Sequence, residues 1–105
     1  MGNFTENLTQ LAGVDHIARL ELLNSDGEVA ASIENKPGSQ GSLKVYCHLA
    51  DKWGNINAAA AREGLALYAE HSEDARQNHG KHPNIDRLLE IIASGATYSV
   101  RRTPS

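Results

Sequence analysis

The chain has a single cysteine, Cys47. No internal disulfide can form, which suits a reducing compartment. Aromatic residues are scarce too, with three tyrosines, one phenylalanine and one tryptophan in 105 residues. Leu, Ile, Val and Ala must therefore fill the core, and part of it is expected to be thin and Ala-lined. Such a core suits close helix packing or a partner covering one face. Block charge is missing: the net charge is −3, and the only basic cluster is Arg101–Arg102. A nucleic-acid binder normally carries a basic patch, so nucleic-acid binding is not expected, and the Arg pair reads as a solubilising feature of a terminal strand.

No apolar run approaches the roughly 20 residues that span a bilayer, so no membrane segment is expected. The opening MGNFTENLTQ has neither a basic nor an apolar signal region and is a poor match to a myristoylation motif. Together these absences point to a cytoplasmic protein. The length suits one domain over residues 1–105, and 40% hydrophobic residues suffice for one modest core.

What is present reads in order as α-β-β-α-α-α-β. Asn3 to Ala12 is expected to be a short helix, capped by Asn3 with Glu6 three residues on and Gly13 at its end. His16 to Glu34 alternates as a β-hairpin with Asp26-Gly27 as a two-residue turn, so that Leu20, Leu22, Val29, Ala31 and Ile33 share the buried face. Asn35 to Ser42 (NKPGSQGS) is a loop with Pro and Gly breakers. Its glycines could wrap an anion, but the Gly-Lys-Ser/Thr half of a phosphate loop is missing, and a flexible connector is the preferred reading.

Leu43 to Trp53 alternates as a strand would and also carries a helical face. Ser42 and Gly54 at its ends favour the helix. Asn57 to Gln77 is the longest expected helix, with Ala60, Ala61 and Gly64 offering a surface for close approach. Pro83 opens a further helix whose apolar residues are Ile85, Leu88, Leu89 and Ile92, ended by Gly95. Ala96 to Arg101 alternates and is expected to pair with the hairpin. The expected fold class is α+β: a small antiparallel sheet, hairpin plus C-terminal strand, packed on one side by three to four helices.

The polar residues concentrate between His71 and Arg87 (HSEDARQNHGKHPNIDR), where any polar site is expected. His71, Asp74, His79 and His82 form a candidate divalent-metal set, since imidazoles with a carboxylate suit zinc or a related ion. The spacing is not that of HExxH, and the plainer reading is of histidines lining helix ends. A second constellation, His48, Tyr68 and His71 with Tyr46 and Glu70, has the residue types for proton transfer near neutral pH. Against it stands the common role of such histidines as hydrogen-bonded core residues. Cys47 reads as a buried structural thiol, because on a helix the adjacent His48 points about 100° away from the sulfur.

Leu43 to Gln77 has the outline of a helix-turn-helix, but Asn55 sits where an apolar residue is wanted and the chain is acidic. The stretches GSLKVYCHLADKWG, INAAAAREGLALYAEHSEDAR and GKHPNIDRLLEII resemble a small uncharacterised bacterial protein family. That resemblance implies a bacterial, cytoplasmic origin and brings no activity, cofactor or site. The residues themselves favour a binding module, self-associating as a homodimer or taking a protein or small-ligand partner. The alternative is a metal-dependent or acid–base enzyme built on the His71–His82 region.

Overall fold

The computed structural model describes residues 3–105. Its elements are α1 (Phe4–Leu8), β1 (Ile17–Leu23), β2 (Val29–Glu34), α2 (Gln40–Trp53), α3 (Ala58–Tyr68), α4 (Glu70–Gln77), α5 (Pro83–Ser94) and β3 (Ser99–Pro104). The three strands form one antiparallel sheet in the order β2-β1-β3. The fold is α+β, with helices on one face of the sheet.

The alternation of apolar residues sets the register of the hairpin. Leu20 pairs with Ile33 and Leu22 with Ala31, as the sequence leads one to expect. Leu20, Leu22 and Ile33 are buried. The turn differs from expectation. Asn24 and Glu28 close a three-residue loop in which Gly27 has φ +82°. Asn24 Oδ1 accepts from the N–H groups of Asp26 and Glu28, and this side-chain turn favours the longer loop. A bulge between Leu22 and Leu23 follows, pairing Leu23 with Val29. One extra residue turns a side chain to the other face, so Val29 is 47% exposed rather than buried.

β3 starts three residues later than the alternation suggests. Tyr98 first makes a two-way bridge with Ile56, in the α2–α3 connection, at 2.9 and 3.0 Å. Val100 and Arg102 then face Leu22 and Leu20 across β1. Arg101 donates to Glu21 at 2.8 Å and Arg102 to Asp51 of α2 at 2.7 Å. Both guanidinium groups are thus engaged by carboxylates of neighbouring elements.

α2 is the central helix. It has six buried residues, Leu43, Val45, Tyr46, Cys47, Leu49 and Ala50, too wide a set for a single stripe. The breadth arises because the sheet covers one side and α3 the other. It also explains why the segment reads as either helix or strand: a broad apolar face, with Leu43, Val45, Cys47 and Leu49 all buried, blurs the 3.6-residue period. The helix ends as its Gly54 predicts, with φ +80° and a hydrogen bond to Ala50 O. Its start lies earlier than expected, at Gln40, so GSQGS contributes to a helix rather than to a loop alone.

α1 is shorter than the expected Asn3–Ala12. Asn3 caps it through Glu6 N–H, but the Thr9 hydroxyl takes the Glu6 carbonyl and the chain tightens into three-residue turns up to Leu11. Asn57 to Gln77 is two helices, not one. The break is at Ala69, with φ +52° and ψ −117°. Ser72 Oγ donates to Leu65 O at 2.6 Å, satisfying a carbonyl that the interrupted helix leaves free. α5 runs from Pro83 in its first turn to Gly95 at φ +75°. Its buried apolar residues are Ile85, Leu88 and Ile91, while Leu89 and Ile92 are half-buried. Small residues permit the close approach of α3 to α2 and α5. A Cβ on Gly64 would lie 2.7 Å from Leu88 Cδ1 and 3.0 Å from Leu49 Cδ1. The small-residue surface is therefore filled within the chain.

Candidate functional site

The break at Ala69 re-aims the chain so that Glu70 and His71 meet α1. Glu70 Oε1 accepts from the backbone N–H of Phe4 at 2.9 Å, and this bond holds the carboxyl below the usual range. The Phe4 ring stacks on Tyr68, with centroids 5.1 Å apart, and meets His71 edge-on at 5.0 Å. Asn7 donates to Leu67 O at 3.0 Å. Beneath α1 lies Gly41, where a Cβ would come within 3.2 Å of both Phe4 and Leu8. A five-residue helix with no buried residue is thus held by one ring, two polar contacts and a glycine beneath it.

On the other side, Asp74 organises the connector between α4 and α5. Its Oδ2 lies 2.7 Å from His82 Nε2 and 3.0 Å from Lys81 Nζ, while Oδ1 accepts from Asn78 at 2.9 Å. The hydrogen bond from His82, then that from Lys81, lowers the Asp74 carboxyl to about 2. His82 stands at the N-cap of α5 without capping it, because its ring is turned to Asp74. Gly80 N–H donates to Asp86 Oδ2 at 2.8 Å, which shapes the rest of the turn.

Between these two halves is a cavity of about 480 Å³. Four distant stretches line it: Phe4 and Leu8; Pro37 to Ser42 without Ser39; Tyr68 and His71; and Lys81 to Ile85. Tyr68 donates its hydroxyl to Ser42 Oγ at 2.6 Å, and burial pushes the phenol well above its ordinary range. Tyr46, buried beside this region, donates to the Asn84 carbonyl and is pushed up by burial to about 12.

Of the residues singled out in the sequence, Tyr68, His71 and His82 meet in the cavity, with the His71 and His82 ring centres 5.5 Å apart. Asp74 stands behind His82. His79 is exposed and lies outside the lining. Among the described residues no group of three or more His, Cys, Asp or Glu side chains is placed to hold a metal ion. The set His71, Asp74, His79 and His82 therefore does not converge. The Lys81 ammonium occupies the flank of Asp74 that a cation would need.

His48 does not join Tyr68 and His71 in the cavity lining. Its Nε2 is 2.6 Å from Glu63 Oε2, while Glu63 Oε1 takes Lys52 Nζ at 2.7 Å and the Trp53 Nε1–H at 3.3 Å. Burial acts against the Glu63 carboxylate, but the Lys52 and His48 hydrogen bonds hold its pKa below the usual value. Cys47 is 6% exposed and its thiol is pushed up by burial, which suits a structural role. Sequence reasoning missed the wall supplied by Phe4 and set aside Gln40 and Gly41 as part of a connector, while Asn84 lay within the run already singled out. The glycines of GSQGS were the one available signal, and Gly41 serves there to admit Phe4 and Leu8.

Fold and site together define a small α+β domain with a polar cavity where helices α2 and α5 begin. Residues 4–102 match the model of a family described as an uncharacterized protein conserved in bacteria, DUF2322, and the chain belongs to that family. No curated protein and no solved structure matches it. Among the described residues, no helix is long and apolar enough to cross a membrane.

Proposed function

We propose that the chain is a binding module that takes a small ligand in the cavity between α1 and the starts of α2 and α5. The observation that carries this reading is the cavity itself. Its volume of about 480 Å³ falls in the ordinary range for ligand pockets, and its walls combine apolar rings with a few convergent polar groups. Small-ligand binding is favoured over self-association because Ala60, Ala61 and Gly64, the surface suited to a second copy, are already buried within the chain. The lone cysteine keeps the cytoplasm as the proposed compartment.

A fragment screen by NMR on untagged protein tests the reading. Binders should move the His71 and His82 ring signals together with the amides of Gly41 and Ser42. Gln40→Trp, at an exposed position on the rim, should block them without unfolding the chain. Binding that survives this substitution places the ligand elsewhere and overturns the proposal.

A second reading is favoured by the Asp74–His82 contact. An imidazole whose Nε2 is held by a carboxylate presents Nδ1 as a base, and His82 lines the cavity. On this reading a bound fragment is converted, and His82→Gln stops conversion while binding persists. Bound fragments recovered unchanged after long incubation would remove it.

A further inference from the structure

We infer that the ligand is a compact organic oxyanion, a phosphate monoester or carboxylate on a short apolar body. The inference rests on the cavity-binding reading above and narrows it to a chemical class. The protein carries 13 acidic and 10 basic residues, yet among the described residues no acidic side chain lines the cavity. Its ionisable lining groups are Lys81, His71, His82 and the neutral phenol of Tyr68.

The nearest carboxylates are already engaged. Asp74 is held by His82, Lys81 and Asn78, and Glu70 by the Phe4 N–H. The neutral polar groups are donors as well. Ser42 Oγ accepts from Tyr68, which leaves its own O–H free to donate. Asn84 Oδ1 accepts from Arg87 at 2.9 Å, which leaves its amide N–H groups free. A wall of donors that includes the Lys81 ammonium, which Asp74 only partly offsets, and that holds no carboxylate favours an anion and opposes a cation. The first turns of α2 and α5 open on the same space and add to the field in the same sense. Phe4, Leu8, Pro37 and Pro83 in the same lining give an apolar surface for the body of the ligand.

The test is an NMR titration of the full untagged chain with phenyl phosphate, phenylacetate, inorganic phosphate, neutral phenylacetamide and cationic benzylamine. The aryl anions should shift the Gly41, Ser42 and Asn84 amides and both imidazoles, binding about tenfold or more tighter than phenylacetamide. Lys81→Met should remove roughly that factor, whereas His48→Gln, at the distant Glu63 cluster, should change nothing. Preference for phenyl phosphate or for phenylacetate identifies which oxyanion is meant, and weaker binding of inorganic phosphate supports the role of the apolar wall. If phenylacetamide or benzylamine binds as well as the anions, the oxyanion inference fails while the ligand cavity stands. If none of the five shifts these signals, both fail.

Discussion

His82 and Asp74 are joined across the α4–α5 turn, with Nε2 2.7 Å from Oδ2. The pair ties the end of one helix to the start of the next and presents the imidazole to the cavity. With Lys81 beside it, the contact lowers the Asp74 carboxyl from 3.8 to about 2. A depressed carboxylate pKa contributes stability that is present above the unfolded value and lost as pH falls through the folded one. The contribution of Asp74 should therefore disappear between pH 3.8 and about 2. Side-chain carboxyl NMR should give a midpoint near the lower figure. Urea denaturation of Asp74→Asn should show it weaker than the parent at neutral pH and equal to it at the acid end. A deficit that does not change with pH would mean that the ion pair is not its source.

Ala69 holds a positive φ, a conformation that costs a residue with a Cβ roughly 1 kcal/mol or more. Ala69→Gly should accordingly stabilise the chain by about 0.5–1 kcal/mol, the reverse of the effect in an uninterrupted helix. Chemical denaturation measures it directly. A loss of about 1 kcal/mol instead would indicate that residues 58–77 form one continuous helix.

Gly64→Ala should act oppositely. Alanine is the better helix former by about 1 kcal/mol, but its Cβ would stand 2.7 Å from Leu88 Cδ1 in a fully buried contact. Overpacking of this kind costs about 1–3 kcal/mol, so a net loss of about 1 kcal/mol is expected. Leu88→Ala on its own should cost more, about 2–5 kcal/mol, by leaving a cavity. The two changes should be less than additive, since each relieves the other. Additive losses would show that α3 and α5 do not meet at Gly64.

The contrast between these two residues shows how far the sequence could be read. Leu20, Leu22 and Ile33 gave the register because period-two alternation has one burial-consistent solution. Pro83 and Gly95 bounded α5 because their backbone limits are local. Nothing local announces the break at Ala69, since alanine is the best helix former and the strain is held by surrounding contacts. The candidate site was half legible. The run from His71 to Arg87 contained several of its polar residues, but Phe4 and the start of α2 reach it through tertiary packing that no spacing reports. The four residues of the candidate metal set are a related case: sequence proximity placed His79 near His82, while the turn at Gly80 leaves His79 exposed.

Two buried phenols should govern behaviour at the alkaline end. Burial raises Tyr46 from 10.0 to about 12 and Tyr68 higher still. A weak acid whose folded pKa is raised favours folding while neutral, so its contribution is intact below pH 10.0 and lost as pH climbs through the folded value. Two of the three tyrosines should therefore resist ionisation until the chain unfolds, and tyrosinate absorbance should rise together with loss of circular dichroism. Tyr46→Phe removes the donor to the Asn84 carbonyl and should cost about 1 kcal/mol at neutral pH. It should also flatten the alkaline limb, because one of the two linked ionisations is gone. Tyr68→Phe should do the same and, by releasing Ser42, change the polar wall of the cavity as well. Three tyrosines titrating independently near 10.0 in folded protein would contradict this packing, and with it the position of Tyr68 at the base of the cavity.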